Sequence, residues 1–129
     1  MADITITDTE LIAKWKGFRK LGVMKGSLVV PLEDVRGAAA EPALSIGWPG
    51  LKNLSGWPGL KIIGTDAYGH YIGGTFSQNG ERVMWDVANP EKAIVITLEN
   101  NEFVRLILEV DDPELTVRHI EEAIGTASS

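Results

Sequence analysis

Cysteine is absent from the chain, histidine occurs only as His70 and His119, and no apolar run approaches the length that spans a bilayer. Without cysteine there is no disulfide scaffold, no thiol nucleophile and no cysteine-ligated metal or cluster, and a reducing compartment suits the composition. The histidines show neither an HxxxH nor a histidine–carboxylate spacing, so no metal and no cofactor is expected. No GxSxG elbow, P-loop or HExxH occurs, and the glycines of GHYIGGTF do not match GxGxxG. The expectation is therefore a protein that is not an enzyme. Basic residues are also scarce: 12 lysines and arginines stand against 18 acids, a net charge of −6. Phosphate neutralisation needs the opposite balance, which argues against nucleic acid as a partner. The opening MADITITDTE is polar and acidic, unlike a signal peptide, and predicts a cytoplasmic protein.

What is present suits one globular domain over residues 1–129: hydrophobic content is 44% and charged content 23%. Most of the pattern has period two. Ile4-Thr5-Ile6-Thr7 alternates, and Leu11, Ala13 and Trp15 share one face while Lys14 and Lys16 take the other. Phe18, Leu21 and Met24, framed by Gly17 and Gly26, suit one or two short helical turns. Ser27 to Leu32 reads as a strand that Pro31 assigns to a sheet edge or a bulge, and Glu33 to Glu41 as a further strand. Asn79-Gly80 predicts a tight hairpin between Phe76-Ser77-Gln78 and a strand in which Val83, Trp85 and Val87 alternate. A second hairpin, KAIVITLENNEFVRLILEV, turns at Asn100-Asn101, and its two-sided apolar arms belong near the sheet centre.

One helix is expected, from about Asp112 to Ile124. Asp111 or Asp112 caps it, Pro113 fits its first turn, and Val117, Ile120 and Ile124 form its apolar stripe. Its natural target is the open edge or mouth of the sheet structure. Gly125 is placed to stop it in a left-handed conformation, leaving residues 125–129 as a loose tail.

Two segments stand out as candidate binding elements. The pentapeptide Gly-Trp-Pro-Gly-Leu occurs twice within residues 42–60, where each Pro-Gly suits a type II turn and the whole reads as a long loop. Its Trp48 and Trp57 either plug one end of the fold or anchor a partner. The second segment carries Lys14, Lys16, Arg19, Lys20 and Lys25 with no intervening acid, while the chain after Gly80 is strongly acidic. Such a segment can meet an anion, an acidic membrane surface, or the acidic half of another copy.

VVPLEDVRGA, a Gly/Pro-rich loop, GTF, WDVANPEKAIVITLENNEFVRLILEV and the closing DDPELTVRHIEEAI occur in that order. This order of parts resembles the bacterial PH-like (pleckstrin-homology-type) domains over nearly the whole chain. The doubled GWPGL has no counterpart there. The resemblance implies a mainly β fold, a barrel of two roughly orthogonal antiparallel sheets with about seven strands, and one C-terminal helix over an end. It also implies a non-enzymatic interaction module that binds protein partners or forms homo-oligomers. An acidic-lipid or anion binder using Lys14 to Lys25, and a carrier of a small apolar ligand, are the alternatives.

Overall fold

The computed structural model describes residues 2–15, 26–40, 72–78, 81–87 and 90–128. The predicted helical turns between Gly17 and Gly26, the 42–60 loop and His70 lie outside them.

The first three strands, β1 (Asp3–Ile6), β2 (Glu10–Lys14) and β3 (Ser27–Pro31), form an antiparallel meander. Thr7 makes the first turn tight. Its N–H donates to the Glu10 carbonyl at 2.8 Å, and its Oγ1 accepts the Glu10 N–H at 3.0 Å. A threonine that satisfies its own turn in this way favours reversal over strand continuation. Alternation in β2 comes out as expected, with Leu11, Ala13 and Trp15 buried and Lys14 exposed. Pro31 ends β3 at a sheet edge, where a missing N–H breaks no ladder.

A 3-10 turn at Leu32–Asp34 then leads into β4 (Val35–Ala40), so the strand expected from Glu33 begins two residues later. The second sheet adds β5 (Ile72–Gln78), β6 (Glu81–Val87), β7 (Ala93–Leu98) and β8 (Arg105–Glu109). Its order is β4-β7-β8-β6-β5. β5 and β6 pair from Gln78↔Glu81 to Ile72↔Val87, the register of a two-residue connection. β8 lies between β7 and β6, antiparallel to the former and parallel to the latter. Val104 N–H to the Arg82 carbonyl at 2.9 Å and an Arg82–Glu102 ion pair at 2.7 Å secure the start of that parallel pair.

The result is a mainly β protein of two sheets and one helix. The expected barrel is not what the described residues form: the strands make two separate sheets, joined at one point by the Ala2 N–H to the Glu109 carbonyl at 2.9 Å but not closed into a barrel, and β6–β8 is not antiparallel. Strand β6 also departs from simple alternation, because Met84 and Asp86 are buried as fully as Val83, Trp85 and Val87. Met84 belongs to the core between the sheets with Ile94, Ile96, Leu106 and Leu108. Val83, Trp85, Val95 and Ile107 are buried in the alternate positions, so the sheet centre is covered on both faces.

The turn between β7 and β8 uses Asn100 at φ 57, the left-handed region that asparagine tolerates best among non-glycine residues. Asn101 fixes it, donating from Nδ2 to Asp34 Oδ2 at 2.9 Å and accepting the Phe103 N–H at 3.1 Å. The helix, α1 (Pro113–Ser128), is capped by Asp112, whose Oδ1 accepts the Leu115 N–H at 3.2 Å. Ile120 is fully buried, with Val117, Ala123 and Ile124 half-buried beside it. The stripe packs over β4, the 3-10 turn, β1 and β7, which closes the core on the side the meander leaves open. Gly125 does not stop the helix as expected. It sits in helical backbone, and α1 continues to Ser128, absorbing most of the supposed tail. The apolar stripe ends by Ile124, but the intrahelical ladder outlasts it, because a single exposed glycine costs only about 1 kcal/mol.

Candidate functional site

Strand β1 lies at an edge of its sheet, and the phase of its hydrogen bonds follows from the turn beside it. Thr7 and Glu10 bond through their backbones, so Thr5·Ile12 and Asp3·Lys14 are the next bonded pairs. The N–H and C=O groups of Ile4 and Ile6 therefore point away from β2. Among the described residues they have no backbone partner. The isoleucine side chains turn inward and are half-buried against the core, while Asp3, Thr5 and Thr7 face solvent.

Helix α1 packs beside this strand. Between them runs a groove of about 670 Å³. Ile4, Ile6, Leu32 and Ala123 supply its apolar surface, and Thr7, Asp8, His119 and Glu122 its polar rim. His119 and Glu122 are three residues apart, one helical turn, which brings both to the same side of α1. A second groove, about 700 Å³, lies on the other flank of the helix against β4. There Arg36 is already engaged, by Glu99 at 3.0 Å and by the Glu33 carbonyl at 2.7 Å. The β3 edge is blunted by Pro31, so β1 is the better-formed docking edge of its sheet.

A buried polar contact supports this region from behind. Trp15, just after β2, donates its indole Nε1–H to Asp86 Oδ2 on β6 at 2.8 Å. Trp15 is 3% exposed and Asp86 is fully buried, so the bond joins the two sheets through the core.

Of the five basic residues singled out by the sequence, only Lys14 is among the described residues. It is exposed and lies across from Asp3, at the end of β1 remote from Asp8. Lys16, Arg19, Lys20 and Lys25, together with Trp48 and Trp57, lie outside the described residues. Among the described residues no group of three or more histidines and carboxylates is placed to hold a metal ion. No helix among them is long and apolar enough to cross a membrane.

The groove residues were not selected by sequence reasoning. Ile4-Thr5-Ile6-Thr7 signals a strand, but nothing in it says that the strand is an edge. His119 and Glu122 read only as the polar side of a helix. Comparison with family models, curated proteins and solved structures finds no match for this chain.

Proposed function

We propose that the chain is a non-enzymatic interaction module that takes up an extended segment of a protein partner along β1. The observation that carries this reading is the coincidence of two features. The outward backbone groups of Ile4 and Ile6 offer two donors and two acceptors in a strand geometry. Directly beside them a groove against α1, apolar at Ile4, Ile6, Leu32 and Ala123 and polar at its rim, offers room for alternate side chains. Main-chain bonds supply affinity in such strand addition, and the pockets beside the edge supply selectivity. The PH-like framework remains part of the proposal. Two sheets closed on one side by a C-terminal helix support it, while the parallel β6–β8 pair is the feature it does not account for.

Substituting Ile6→Pro tests the reading. Proline at this position removes an outward N–H that the β1–β2 ladder does not use, and edge strands tolerate it there. Strand-forming peptides should shift the amide resonances of Ile4 and Ile6 in the wild type, and Ile6→Pro should bind them at least about tenfold more weakly. Peptides that bind with the Ile4 and Ile6 amides unmoved would place the binding surface elsewhere.

A further inference from the structure

Resting on that reading, we infer that the strand taken up by β1 is cationic, runs antiparallel to it, and carries the order basic–x–apolar–x–apolar. Paired residues in a sheet put their side chains on the same face. Residues opposite Ile6 and Ile4 therefore enter the groove between β1 and α1, where Leu32 and Ala123 complete an apolar surface. The residue between them, opposite Thr5, faces solvent. In an antiparallel partner the position opposite Ile6 comes first, and the residue two places before it reaches the turn that carries Asp8.

Asp8 decides the charge. It is exposed, lines the groove, and has no ion-pair partner among the described residues. Glu122 lines the same groove from the helix. His119 shares the lining, Arg118 on α1 does not line it, and Lys14 sits at the other end of β1. The antiparallel direction follows from the stronger, perpendicular bonding of antiparallel ladders, which is also how β1 pairs with β2. A second copy is the less suitable occupant. Two-fold pairing of Ile4 with the copy's Ile6 brings Asp3 and Asp8 of one chain close to Asp8 and Asp3 of the other. Each chain already carries a net charge of −6.

The test uses the full chain, isotope-labelled, with three capped peptides in low salt: Lys-Thr-Val-Thr-Val, the same with Glu for Lys, and the reversed order Val-Thr-Val-Thr-Lys. The first should bind roughly five- to tenfold more tightly than either of the others, shifting the Ile4, Ile6 and Ala123 amides. Asp8→Lys, a change at an exposed turn, should reverse the preference between the lysine and glutamate peptides. Equal binding of those two peptides, with shifts at β1, overturns the cationic inference and leaves strand addition standing. Preference for the reversed order overturns the direction. No shift at Ile4 and Ile6 with any of the peptides overturns both readings. A dimer in sedimentation equilibrium that dissociates with Ile6→Pro replaces the cationic strand by a second copy.

Discussion

Removing the indole donor of Trp15 should measure how far the two sheets depend on one polar bond. Trp15→Phe keeps an aromatic ring in the core but deletes the Nε1–H that reaches the fully buried Asp86 carboxylate at 2.8 Å. Leaving a buried acceptor without its donor costs about 1–3 kcal/mol. Asp86 has a further interaction besides this bond, so the lower part of that range applies. The smaller ring leaves unfilled volume that costs about 1 kcal/mol more. The sum, roughly 2–3 kcal/mol, corresponds to a fall in Tm of about 10 °C for a chain of this size. Asp86→Ala removes the acceptor altogether. Urea unfolding of the two single variants and the double variant then gives the coupling directly, expected at about 1 kcal/mol or more. A coupling within about 0.3 kcal/mol of zero would refute the idea that this bond holds the sheets together.

How much of this was legible in the sequence depends on how local each determinant is. The two hairpins were readable because their turns are written in adjacent residues. Asn79-Gly80 marks the connection whose flanking residues, Gln78 and Glu81, pair in the structure. Asn100 takes the positive φ that its turn requires. The faces of β2 and α1 were readable from period alone. The order of the second sheet was not, because β8 enters between β6 and β7 and no short-range pattern specifies that insertion. Asp86 illustrates the same limit. It looks like an ordinary polar position in an alternating strand, and one of the partners that accompany its burial is a tryptophan 71 residues earlier. The candidate groove is non-local too, assembled from the first strand, the 3-10 turn and the last helix. The basic segment was legible as charge, yet charge in sequence does not say which surface it meets. Gly125 misled because a glycine after an apolar stripe is the usual stop signal, whereas hydrogen bonding decides where a helix ends.

Two further predictions concern the helix that bounds the groove. Ile120→Ala should destabilise the protein by about 2–4 kcal/mol, because the side chain is fully buried between helix and sheets, and Ile120→Asp should abolish cooperative unfolding. An unchanged urea midpoint for Ile120→Ala would show that α1 does not dock as described. Gly125→Ala should have the opposite sign. An added Cβ there meets nothing within 4 Å, and the residue lies inside Pro113–Ser128 in helical backbone. Alanine should therefore stabilise by about 0.5–1 kcal/mol, through better helix propensity and fewer conformations in the unfolded chain. Thermal unfolding followed by circular dichroism reads the sign directly. If Gly125→Ala lowers Tm, the residue is left-handed and the helix stops there, since only that conformation makes a methyl group costly where space is open.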